Sequence, residues 1–359
     1  MTTHRWTIRS FDGKTASDRE LQAVHAFANR MRAEYWPHDP PKPFKDTVGR
    51  WRALPEFVER EAWAAWHSGE IVAMAIADVW RTEDNQHLAD VEVEVLPARR
   101  NQGLGTELLA LAVDVAERKG RRLMIGGTDT NIPAGEAFAD RLGARLGIEA
   151  RTNELDLNDL DRDQMRAWIE KGQAKASDYA LGLWEGPYPE DRIAAIAKLH
   201  EVMNTAPKDD LELEDMTRTP EEIRQIEASM AARDVERWTL YAEHRPTGQL
   251  AGYTEVFWSP HEPTILYQGD TGVFPEHRGH SLGRWLKAAM MEKVLRERPR
   301  VERVRTGNAA SNGPMLAINY DMGFRHTKTW KIWQVETTTA RDYLERRSAR
   351  VDTVQVPSP

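Results

Sequence analysis

At 359 residues, with 57 acidic against 49 basic side chains and a net charge of -8, the chain is long enough for two domains that each bury a core. The negative balance argues against an extended nucleic-acid surface. The lack of any cysteine excludes disulfides, thiolate metal sites and cysteine nucleophiles.

The opening MTTHRWTIRSFDGK has no apolar leader segment, and no stretch is long enough to span a bilayer, so a soluble cytoplasmic chain without membrane contacts is expected. HRWTIRSF reads as a strand and LQAVHAFANRMRAEYW as a helix. AWAAWHSGEIVAMAIADVW reads as a hairpin turning at Ser68 and Gly69. In VEVEVLP the alternation puts Val91, Val93 and Val95 on one strand face and Glu92 and Glu94 on the other. The turn RRNQGLG follows, and beyond it Leu104, Leu108, Leu111, Ala112 and Val115 recur at helical spacing. NDLDRDQMRAWIEKGQAKAS has the charge pattern of a linker helix. The expected division is therefore an N-terminal domain over 1–157, a linker helix over 158–176, a C-terminal domain over 177–340 and a flexible tail over 347–359.

The second half repeats the first. DYALGLWEG predicts a strand, EDRIAAIAKLHEVMN a helix, and RWTLYAEHRPTGQLAGYTEVFW a hairpin turning at Thr247 and Gly248. VFPEHRGHSLG at 273–283 echoes VLPARRNQGLG at 95–105, aligning Val273 with Val95, Arg278 with Arg100 and Gly283 with Gly105. One constant offset also sets Thr306 on Thr128. Leu282, Leu286, Ala289, Met290 and Val294 repeat the helical stripe, and Pro299 ends it.

A glycine turn that opens a helix presents unpaired amides and the positive end of the helix dipole, which makes an anion site, best suited to a phosphate. Neither the dinucleotide pattern G-x-G-x-x-G nor the P-loop pattern is met. The V-x-P-x-x-R-x-x-G-x-G string before an apolar helix resembles the coenzyme-A signature of the GNAT superfamily of N-acetyltransferases, and the duplication resembles its tandem members. The resemblance implies an α/β (α+β) fold of two GNAT domains, each a mixed, mostly antiparallel twisted sheet flanked by helices. It implies acetyl-CoA as cosubstrate, bound in the first copy by Val95, Arg100, Asn101, Gln102, Gly103, Leu104, Gly105 and Thr106. The corresponding residues of the second copy are Val273, Arg278, Gly279, His280, Ser281 and Gly283. A further family element, an Asn-led helix ending in Gly-Phe, is approached by NGPMLAINYDMGF and less closely by NIPAGEAFADRLGA, which adds Asn312 and Asn131 to the cofactor set.

The family's proton-donating tyrosine would fall at Ala139 and Asn319. Tyr320 stands beside the latter and is the candidate acid. Ser281 replaces the first glycine of the turn, so the first copy keeps the better cofactor turn and is expected to bind the coenzyme.

Acetyl transfer to an amine needs a neutral nucleophile and a proton acceptor. Glu92 or Glu94 can serve through water, and Asp270 repeats Glu92 at the constant offset. His87, His277 and His280 read as ordinary hydrogen-bonded histidines, and no His/Asp/Glu cluster has ligand spacing, so no metal is expected. The acceptor should meet YWPHDPPKPFKD in one copy and the acidic TAPKDDLELEDMTRTPEE in the other, the latter suiting a cationic amine. The reading is an N-acetyltransferase acting on a small-molecule primary amine. Its rival is a non-catalytic acyl-CoA-binding or interaction protein. The sequence leaves the oligomeric state open.

Overall fold

The computed structural model describes residues 6–354. Its contacts divide the chain into two compact units. The first comprises Met1–Ile148, Asp210–Glu212 and Trp330–Pro359, and the second Glu149–Asp209 and Leu213–Thr329.

The first unit begins with β1 (Thr7–Ser10), α1 (Asp18–Tyr35) and α2 (Phe44–Arg52). Ser17 caps α1 through a reciprocal box with Glu20, satisfying two amides that the helix cannot. A hairpin of β2 (Val58–His67) and β3 (Glu70–Trp80) turns where expected, on Ser68 and Gly69, both at positive φ. Its centre is built from Ala62, Ala64, Ala65, Ala73, Ala75 and Ala77, all buried. These small side chains let helices approach the sheet closely.

There follow β4 (Leu88–Val95), α3 (Leu104–Arg118), β5 (Leu123–Asp129) and α4 (Pro133–Leu142). Leu104, Leu108, Ala112 and Val115 of α3 are buried, as their spacing predicts. The sheet runs antiparallel from β1 through β4, and β4 then pairs in parallel with β5.

The second unit has the same plan. β7 (Tyr179–Glu185), α6 (Ile193–His200) and α7 (Pro220–Ala231) precede β8 (Glu236–His244), β9 (Gln249–Trp258) and β10 (Ile265–Val273). α8 (Leu282–Glu297), β11 (Arg303–Ala309) and α9 (Gly313–Asp321) complete it. β7 to β10 are antiparallel neighbours, and β10 pairs in parallel with β11.

The closing strands do not follow the sequence halves. Residues 149–156 of β6 (Arg145–Asp156) pair antiparallel with β11 in the second unit. Residues 330–336 of β12 (Arg325–Glu336) pair antiparallel with β5 in the first. Each unit is therefore completed by chain from the other half, which boundaries at 157 and 177–340 do not capture.

The segment expected as a linker contains α5 (Arg162–Lys175), which packs on α8 and buries Met165 and Trp168 in the second unit's core. The segment expected as a tail is helical through Val354 as part of α10 (Thr337–Val354), which packs on α3 and α4. Residues 355–359 lie outside the described residues.

The constant offset fails beyond α3. β5, the glycine after α4 and β6 recur 180 residues later, because α8 is one residue longer than α3 and the connection to β11 one residue longer again. The residue that corresponds to Thr128 is thus Asn308 and not Thr306.

Candidate active site

The two signature turns have one backbone. Asn101 and Gly103 are left-handed at φ 59° and 95°, and Gly279 and Ser281 repeat this at 86° and 64°. Glycine holds the first such position in one copy and the second in the other, so the conformation survives the exchange. Within the described residues the amides of Asn101, Gln102, Gly103, Leu104 and Gly105 find no acceptor, nor do those of Gly279, His280, Ser281, Leu282 and Gly283. Successive unpaired N–H groups around a left-handed residue form an anion-binding concavity, and the helix dipole adds to it.

The signature arginines have a different place from that expected. Arg100 Nε donates to the Val95 carbonyl at 3.0 Å and its two terminal nitrogens grip Glu34. Arg278 Nε donates to the Val273 carbonyl at 2.9 Å, and a terminal nitrogen reaches Thr205 Oγ1 at 2.8 Å. Each arginine clamps the strand end to the turn, which explains its recurrence without a ligand contact.

A cleft leads from each turn. β4 pairs with β5 only over 88–90, and β10 with β11 only over 265–267; beyond these the strands part. Residues 91–95 are left with β3 on one side and an open edge on the other. At the point of parting Gly126 lies so close that a Cβ would stand 2.7 Å from the Val91 carbonyl oxygen.

Along this strand of the first unit Asp90, Glu92 and Glu94 share one face, as the alternation requires. Asp78 stands opposite Asp90 on β3 and is held by Arg60 at 2.7 and 2.9 Å. Tyr35, at the end of α1, donates to Glu94 Oε1 at 3.0 Å. Burial, then repulsion from Glu92, pushes the Glu94 carboxyl up to about 8. Burial, then Asp78 and Glu92, raises Asp90 to about 6, and burial raises Glu92. Asp90 and Glu92 keep accessible surface, so protein surrounds them as a cleft wall and water still reaches them.

In the second unit Asp270 accepts from Tyr253 Oη at 3.1 Å and lies beside buried Glu255. Burial followed by Asp270 raises Glu255 to about 8. Arg237, from β8, is bound to Glu227 at 2.6 Å and lies 3.6 Å over the Tyr188 ring. Burial and Arg237 hold His200 down to about 4, so it is neutral where it meets Tyr188 and stacks on Tyr253.

The sequence profile of the acetyltransferase (GNAT) family matches residues 21–144. The fold of the whole chain is that of a tandem GNAT protein from the clavulanic acid biosynthesis pathway, solved without acetyl-CoA, at 27% identity and a TM-score of 0.74 over 92% of this chain and 98% of that one. Residues 21–144 thus carry the GNAT family pattern, and the chain as a whole is similar in fold to a tandem GNAT protein. A GCN5-related N-acetyltransferase from Sphaerobacter thermophilus shares the fold at 15% identity, with a TM-score of 0.66 over 94% of this chain and 97% of that one. A putative acetyltransferase from Pyrococcus horikoshii does so at 12% identity, with a TM-score of 0.53 over 94% and 91%. Comparison with curated proteins gives no match.

Several expected residues lie apart from the carboxyl faces. Tyr320 is exposed and its hydroxyl accepts from Arg151 at 3.3 Å. The neighbouring Asn319 is fully buried and donates to Asn308 Oδ1 at 2.7 Å. Asn312 caps α9, whereas Asn131 is exposed and precedes α4, capped by Ile132. Gln102 donates to the Ala98 carbonyl, and Thr106 bonds back to Gly103 within the turn. His277 is buried against Tyr179 at 2.9 Å, and His87 meets the Glu212 carbonyl at 2.9 Å.

The acidic segment expected to attract a cation is largely engaged internally. Glu212 binds Arg122 and Arg145, Asp215 binds Lys208, and Asp209 accepts from Ser311. Tyr35, Arg60, Tyr253 and Glu255 were not singled out in the sequence. An acid inside the apolar strand string GYTEVFW is the signal that finds Glu255. Among the described residues no group of three or more His, Cys, Asp or Glu side chains is arranged to hold a metal, and no helix is long and apolar enough to cross a membrane.

Proposed function

We propose that the chain is an acetyl-CoA-dependent N-acetyltransferase that acetylates a primary amine of a small molecule by direct transfer. The observation that carries this reading is the unpaired amide turn at the mouth of a parted strand pair, present in both units. The residues fit the coenzyme: five free amides suit a diphosphate, and an open strand edge suits an amide-bearing arm. Bound acetyl-CoA supplies an activated thioester.

The chain's own residues do the rest. Arg100 and Arg278 hold the strand ends against the turns. Glu92, open to water, accepts the amine proton in the first unit, and Asp270 does so in the second. Burial raises both carboxyls, so each binds a captured proton more tightly than an exposed carboxylate does. Asp90 and Glu92, both open to water on the cleft wall, favour a cationic acceptor in the first unit.

A second reading, acyl-CoA binding without transfer, draws on Ala139 and Asn319, neither of which can donate a proton to a thiolate. Thiol release from acetyl-CoA across a panel of amines separates the two. Release with at least one amine is expected; coenzyme binding without release from any of them would favour the second reading.

A further inference from the structure

β10 carries a device that β4 lacks. Against β9 its register slips: Thr271 faces Thr254 and Gln268 faces Val256, so that Gly269 and Asp270 together stand opposite Glu255. In the first unit the residues of β3 and β4 face one another singly from Asp78 and Asp90 to Ala73 and Val95. The bulge brings two carboxyls from adjacent strands together. A Cβ on Gly269 would lie only 3.2 Å from Glu255 Oε1, which places that carboxyl directly against the bulge. Glu255 is 8% exposed while Asp270 is open to the cleft, so one carboxyl is inward and the other outward.

We propose that Glu255 and Asp270 form one proton-sharing pair at the acceptor end of the second unit's cleft, with Asp270 taking the proton from the incoming ammonium and Glu255 positioning and holding it. The inference rests on the transfer reading of that unit. The proton leaves the ammonium nitrogen, whose lone pair is thereby freed, enters an Asp270 oxygen, and later returns to water at the exposed edge. Two carboxylates side by side in a poorly hydrated site cannot both ionise readily, so the pair retains one proton where isolated carboxyls would have none.

The surrounding groups are consistent with one retained proton. From β9 itself Tyr253 donates to Asp270, which fixes the outward member. Arg237 on β8 offsets part of the Glu255 charge, but Glu227 of α7 already binds it. His200 on α6 is neutral, Tyr188 is bonded to Thr239, and the charge of Arg218, ahead of α7, favours the ionised form of Asp270.

The test is a carboxyl titration of the full chain labelled with carbon-13 in the Asp and Glu side chains, followed by NMR from pH 4 to 10. Two separated steps are expected for the pair, one near the ordinary carboxyl range and one well above it. Asp270→Asn should lower the Glu255 midpoint by about one unit or more. A Glu255 midpoint that Asp270→Asn leaves in place, or two carboxyls that both ionise below pH 5, would overturn the pair. The wild-type curve decides the matter even where the variant does not fold. Coupled steps in a protein that releases no thiol with any amine would instead sink the transfer reading and leave the shared proton standing.

Discussion

Removal of the Tyr35 hydroxyl should raise the Glu94 midpoint. The phenol donates to Glu94 Oε1 at 3.0 Å and thereby favours the ionised carboxylate. A hydrogen bond to a charged acceptor contributes about 1.5–3 kcal/mol, and one pKa unit corresponds to about 1.36 kcal/mol, so Tyr35→Phe should move the midpoint from about 8 upward by roughly one to two units. The ring contact with Trp330 at 5.7 Å is one that phenylalanine can keep.

Stability provides a second reading of the same variant. A carboxyl raised in the folded state contributes stability that is fully present below its unfolded value and lost as the pH rises through the folded one. The wild-type chain should therefore lose this contribution between about pH 4.5 and 8, and the variant should continue losing it to higher pH. Carbon-13 NMR of labelled glutamate gives the midpoint, and thermal melts across pH 5–10 give the linkage. An unchanged midpoint would mean that the hydroxyl does not set the charge on Glu94. A lowered one would mean that water replacing it is the better donor.

Other substitutions test other parts of the structure. Gly103→Glu sets a carboxylate against the diphosphate and should cut coenzyme-A affinity roughly a thousandfold, as expected for like charges about 4 Å apart near a surface; calorimetry measures this, and unchanged affinity would put the coenzyme elsewhere. Glu92→Gln should flatten the rise of acetylation rate with pH, and an unaltered profile would remove Glu92 as the base. Lys287 is 1% exposed, and burial lowers its ammonium to about 7, so Lys287→Met should stabilise the chain by up to about 4 kcal/mol at pH 7 and below. That gap should close towards pH 10.5, where the unfolded amine is neutral too; a gap constant with pH would show that the lysine is not charged at a cost. Residues 1–157 expressed alone should fail to melt cooperatively, because β5 loses its neighbour and α3 and α4 lose α10. A sharp transition in that fragment would contradict the strand assignment.

Local pattern reveals the elements of this chain and misses their partners. The turn at Ser68 and Gly69 and the stripe on α3 each depend on residues a few positions apart, so composition and spacing reveal them. The pairing of 330–336 with β5 joins segments some two hundred residues apart, and no local period encodes it. The same holds for Tyr35 and Glu94, which a helix end and a strand bring together across 59 positions. The repeat was legible where the backbone is most constrained, at the turns, and drifted by two residues where α8 and its exit loop lengthen. The acidic run at 209–215 looked like a cation surface because sequence shows charges and not their counter-ions. The burial of Lys287 has no local signal, because one lysine on an otherwise apolar helix face ordinarily reaches solvent.

The exchanged strands also bear on how the protein emerges from the ribosome. Synthesis delivers most of the first unit early, yet its sheet waits for residues 330–336, while the second unit has all of its strands once residue 329 has been made. The half translated last can thus close first. During that interval the earlier half presents an incomplete sheet edge to the cell, and this is the period in which a chaperone would matter most.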